Sequence, residues 1–70
     1  MADVHYETVS AIFVAKTGDA VLLDIDDEEH WIPRSLLSTK SDRVVNQLRA
    51  TDMGEAYDLQ IVDWKVDELN

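Results

Sequence analysis

The chain has 70 residues, no cysteine, 46% hydrophobic residues and a formal net charge of −9, from 15 carboxylates against six Lys and Arg. That length makes one domain, residues 1–70, which on folding buries about 60% of the surface of its unfolded chain, and the lack of cysteine excludes a disulfide staple. The charge opposes binding to nucleic acid or anionic lipid and favours basic protein surfaces, and no apolar run approaches the roughly 18 residues of a membrane span.

Met1-Ala2-Asp3-Val4-His5 reads as a loose lead-in. With no basic n-region and no apolar h-region, it sets the expectation of a cytoplasmic protein. From Tyr6 to Lys16, Val9, Ala11, Phe13 and Ala15 alternate with Thr8, Ser10, Ile12 and Val14. That period of two, in β-branched and aromatic residues, predicts a strand. Its partly apolar second face marks it as central or as covered on both sides. Lys16-Thr17-Gly18-Asp19 is a turn signal. Val21, Leu23 and Ile25 then alternate with Ala20, Leu22 and Asp24 in a second strand, and the short link makes the pair an antiparallel hairpin. Asp26-Asp27-Glu28-Glu29 is the next turn, and His30-Trp31-Ile32 is a third strand stopped by Pro33, which cannot donate to a ladder. The three strands form a meander.

The middle of the chain carries four of the six basic residues, Arg34, Lys40, Arg43 and Arg49. Ser41 or Asp42 caps a short helical pattern with Val44, Val45 and Leu48 apolar. Thr51-Asp52-Met53-Gly54 closes it as a loop. Tyr57, Leu59 and Ile61 alternate with Ala56, Asp58 and Gln60 in a fourth strand. Asp63 to Leu69 is either a last helical turn or a continuing strand; Asp63 as N-cap, with Trp64 and Leu69 inward, favours the turn. The expected fold is α+β: a small curled antiparallel sheet of about four strands, barrel-like or open, with one short helix.

Chemistry has few footholds. No Gly-x-Ser-x-Gly elbow surrounds any serine. A calcium loop counted from Asp24 would need Gly at Glu29 and Glu at Ser35. Paired acids for glycoside hydrolysis lack an aromatic sugar platform, and His5 and His30 lack metal-ligand spacing. No catalytic residue, metal ligand or cofactor is therefore expected. The basic segment could contact phosphates, but its flanks are acidic, so its charges are read as neutralising neighbours. Trp31 and Trp64 each suit a binding hot spot or the core, and the core is the expected place, where an indole buries a large apolar area.

The acidic run Asp24, Asp26, Asp27, Glu28 and Glu29 has two readings. One is a solvated hairpin turn that keeps the protein soluble and guards sheet edges. In the other, a fourth strand beside the first hairpin adds Asp58, with Asp63 in support. The carboxylates then merge into one face that mimics duplex phosphates and binds the basic surface of a nucleic-acid-binding protein.

The stretch AVLLDIDDEEHWIPRS, Ala20 to Ser35, resembles a family of small uncharacterised proteins of phages and mobile elements, in which a strand and an acidic turn precede Trp-Ile-Pro-Lys/Arg-Ser. LQIVDWKVDEL, Leu59 to Leu69, is similar to that family's closing strand and tryptophan. The chain departs from the pattern in a longer, more helical insert from Leu37 to Met53 and in ending Glu68-Leu69-Asn70. The resemblance implies a phage-like setting in a host cell. By the company such proteins keep, it implies an inhibitor of host defence, an anti-CRISPR protein being the concrete version. The leading expectation is thus a non-enzymatic inhibitor acting through Asp24, Asp26, Asp27, Glu28, Glu29, Asp58 and Asp63. The alternative is a structural module that self-associates, for example as a homodimer, through its sheet edges.

Overall fold

Alternating apolar residues build four strands, β1 (Tyr6–Lys16), β2 (Ala20–Ile25), β3 (Glu28–Pro33) and β4 (Ala56–Val62). They are seen in a computed structural model that describes residues 4–69, so part of the lead-in, residues 1–3, lies outside the described residues. All pairings are antiparallel, in the order β3-β2-β1-β4. Two helices complete the α+β fold, α1 (Thr39–Gln47) and α2 (Asp63–Leu69), with short 3-10 turns at Arg34–Leu36 and Ala50–Asp52. The sheet is open rather than closed into a barrel, and the last segment is helical rather than a continuing strand.

Alternation sends Ala11, Phe13, Val21, Leu23, Ile32, Leu59 and Ile61 to one face, where they meet Leu37, Val45 and Leu48. Leu23, Ile32, Leu59, Ile61 and Val45 are 0% exposed. Each such aliphatic side chain contributes about 1.5–3 kcal/mol of burial free energy, and this layer is what holds the helices to the sheet. β1 is central, as its second face suggests; Ala11 and Phe13 are buried on its core face and Ile12 is exposed on the other.

One irregularity shifts the pattern. The β1–β2 register slips between Phe13 and Ala15, so Ala15 lies opposite Leu22 and Lys16 opposite Val21. A bulge reverses the facing of everything beyond it. Ala15 therefore leaves the core face assigned to it by simple alternation, and Lys16 turns toward the helices. Its Nζ donates to the carbonyls of Val45 (3.1 Å) and Asn46 (2.8 Å). The ammonium thus satisfies carbonyls at the C-terminal end of α1, where the helix dipole favours a cation.

Ser38, rather than Ser41 or Asp42, caps α1: its side chain accepts from the Ser41 amide at 3.2 Å. Ser41 is buried instead, and its hydroxyl accepts from the Gln60 amide at 2.7 Å. The Ser38 amide donates to the Gln60 carbonyl at 3.0 Å, and Leu37 bridges to Ile61. The helix entry thus covers the outer edge of β4.

Both tryptophans depart from the expected core placement. Trp31 is 52% exposed and Trp64 is 54% exposed. In β3, Ile32 takes the inward position, so its neighbour Trp31 must point to the other face. In α2, Val66 and Leu69 pack against the core one turn apart, which leaves Trp64 outside that inward stripe.

Replacing Leu59 by Ala should lower stability by about 2–5 kcal/mol, a large part of the roughly 4–10 kcal/mol expected of a domain this size, read from the midpoint of urea unfolding. Lys16→Met keeps the aliphatic stem and removes the charge-assisted bonds. It should cost about 1 kcal/mol and reduce helical circular dichroism before the sheet signal falls.

Candidate functional site

Two residues, not four, join β2 to β3. Asp26 and Asp27 have φ of 55° and 67°, so Glu28 and Glu29 belong to the third strand. Positive φ at both central residues of a two-residue loop marks a type I′ turn, whose twist matches that of the strands it links. Asn-Gly is the favoured pair there. Aspartate tolerates the left-handed region better than most residues, but glycine adopts it without steric cost. The turn therefore carries two exposed carboxylates at a conformational cost.

Strand register adds a second cost. Asp24 lies directly opposite Glu29, on the face away from the helices, and like charges so placed repel. Ile12 pairs with Asp24 on one side and with Ala56 on the other, while Ser10 pairs with Asp58. Asp58 thus shares the open face with Asp24 and Glu29, with β1 between them. Standard strand spacings put it about 10 Å across and about 7 Å along from Asp24.

The remaining expected residues are placed differently. Glu28 lies opposite Ile25, on the helix side of the sheet, with an oxygen 3.8 Å from His30 Nε2. It rims a groove of about 360 Å³ between the hairpin and α2, lined also by Glu7, Asp26, Val66 and Leu69. Asp63 heads α2, where Oδ1 accepts from the Trp64 amide at 2.7 Å and its own amide donates to the His5 carbonyl at 2.9 Å. That position is at the far end of β4 from Asp58. The fold therefore gathers Asp24, Glu29 and Asp58 on one face with Asp26 and Asp27 at its tip, and sets Glu28 and Asp63 apart from them.

Among the described residues, no Lys or Arg nitrogen comes within 4.0 Å of Asp24, Asp26, Asp27, Glu29, Asp58 or Asp63. Lys40 shares a surface hollow with Asp58 without pairing. Lys16 and Arg34 serve the opposite end of β1. Arg34 Nε donates to Asp42 at 2.7 Å, and the same guanidinium reaches the Thr17 carbonyl and the Asn46 side chain, both at 3.3 Å. These contacts lash α1 to the end of the sheet. Among the described residues no three His, Asp or Glu side chains converge on a common metal position. Tyr57 is held above the ordinary phenol value by desolvation and then by the Asp52 and Glu55 carboxylates, so it is neutral at physiological pH.

Sequence reasoning missed one surface residue that matters, Trp31. It lies opposite Leu22 on the open face, two residues along β3 from Glu29. The signal that locates it is the buried Ile32 next to it. No helix among the described residues is long and apolar enough to cross a membrane. No family model, curated protein or solved structure matches the chain.

Exchanging Asp26-Asp27 for Asn-Gly should stabilise the fold by about 1 kcal/mol, seen as a higher urea midpoint with an unchanged slope. A lower midpoint would mean that the aspartates contribute to the fold itself.

Proposed function

We propose that this chain is an acidic, non-enzymatic protein of phage type, acting in a host cytoplasm. It occupies the basic groove of a host nucleic-acid-binding complex in place of nucleic acid. Counter-defence of the anti-CRISPR kind is the concrete form. The observation that carries this reading is the β2–β3 hairpin: it keeps unpaired carboxylates where local physics disfavours them. Asp26 and Asp27 hold left-handed backbone, and Asp24 faces Glu29. Neither arrangement improves packing. Strain without a structural return is expected where a surface is kept for binding.

The chemistry of such a surface is clear. Exposed carboxylates on the hairpin present negative charge that no lysine or arginine of the described residues neutralises by direct pairing. Association with a basic groove is then electrostatically steered, fast and salt-sensitive. The net charge of −9 argues equally against direct binding to nucleic acid or to anionic lipid. Self-association through a strand edge draws less support. The outer edge of β3 has no backbone partner among the described residues, yet it is six residues long, ends in Pro33 and begins with Glu28 and Glu29. Short length, proline and like charge all discourage edge pairing with a second copy.

Immobilised protein should retain nucleic-acid-binding proteins from a bacterial lysate at low salt and release them on addition of duplex DNA or high salt. The triple variant D26K/D27K/E29K should lose that retention while unfolding at an unchanged or higher temperature. Partners that resist duplex DNA, or that the triple variant retains equally well, would rule the reading out.

A further inference from the structure

The open face of the sheet combines two properties that the acidic hairpin alone lacks. It is apolar at its centre, with Ala15, Leu22 and Trp31 in one row across three strands and Ile12 diagonal to Leu22, and Ile12 and Trp31 are exposed there. It is also bordered by a carboxylate pair, since Asp24 and Glu29 each lie two residues from Leu22 and Trp31 on their own strands. Same-face neighbours on a strand are about 7 Å apart. A cation over the Trp31 ring can therefore reach both carboxylates.

We propose that this face seats an arginine of the partner, its guanidinium stacked on the Trp31 indole and its N–H groups directed to Glu29 and Asp24. The inference rests on the reading above, that the partner surface is basic, and specifies which surface meets it and by what contact. Arginine fits better than lysine. Its planar group stacks on an aromatic face while its edge bonds carboxylates in a fork, whereas an ammonium is a hydrated point charge. The strength of a cation over an indole rises as water is excluded, and Leu22, opposite Trp31, supplies an apolar neighbour for that exclusion. A second copy of this chain does not fit the same face, because it would bring a net charge of −9 and the same two carboxylates against their like. The chain's own nearby guanidinium, Arg34, is committed to Asp42.

The test uses two defined probes, an oligo-arginine and an oligo-lysine peptide of equal length, titrated into the full chain at low salt. The arginine peptide should bind about tenfold more tightly, and Trp31→Ala should remove most of that difference, a loss of about tenfold consistent with an aromatic anchor. Trp64→Ala should change affinity by less than about twofold, since Trp64 lies on α2 away from this face. Nuclear magnetic resonance on the unmutated protein gives a reading independent of variant folding: the Trp31 indole N–H should shift on adding the arginine peptide, and that of Trp64 should not. An unshifted Trp31 signal, or a W31A protein that keeps the parent's preference for the arginine peptide, overturns the arginine seat. If D26K/D27K/E29K still weakens peptide binding in that case, the acidic reading stands with its contact elsewhere. If neither peptide binds at low salt, both proposals fall.

Discussion

A single aliphatic layer between one sheet face and two helices carries this fold. Val21, Leu23, Ile32, Val45, Leu59 and Ile61 are all fully buried in it. On the opposite sheet face Ile12 and Trp31 are exposed, whereas Val62 is buried and α1 reaches a hollow beside Asp58 and Gln60. The consequence reaches every other feature. Because side chains alternate along a strand, each residue that enters the layer forces its neighbours outward. Ile32 inward means Trp31 outward; Leu23 and Ile25 inward mean Asp24 outward; Leu59 inward means Asp58 outward. The candidate surface is thus the geometric complement of the core.

Charge is distributed with the same economy. Basic groups are used as structural ties at one end of β1: Lys16 holds the last turn of α1, and Arg34 joins β3 to Asp42. At the other end, the β2–β3 turn and α2 together carry carboxylates, with Lys65 paired to Glu68 along the helix at 3.6 Å. An exposed pair of that kind contributes little to stability.

Much of the fold was legible from residue order. The four strands and the meander follow from periods of two and from turn residues, and Asp63 favours a last helical turn over a continuing strand, while strand order is not readable from them. What was not legible depended on contacts distant in sequence. The slip after Phe13 is invisible in YETVSAIFVAK, because Val14 and Ala15 suit either face; it becomes necessary only when Lys16 meets the end of α1. Ser38 becomes the cap, in place of Ser41, because Ser41 is drawn into a hydrogen bond with Gln60 in β4. The tryptophans were assigned to the core by their size, while alternation in β3 and the Val66–Leu69 stripe in α2 left no inward position for either.

By itself, the sequence determined that this is one small, strongly acidic α+β domain with an antiparallel sheet, because alternation, turn chemistry and net charge are local or additive properties. Only the tertiary structure decided which acids share a face. Asp24, Glu29 and Asp58 meet because strand order and register are set by the collective packing of the core. Asp63 and Glu28 are kept apart from them by the same packing, one at the far end of β4 and the other turned to the helix side. Register is a property of pairs of strands, and no single stretch of residues contains it.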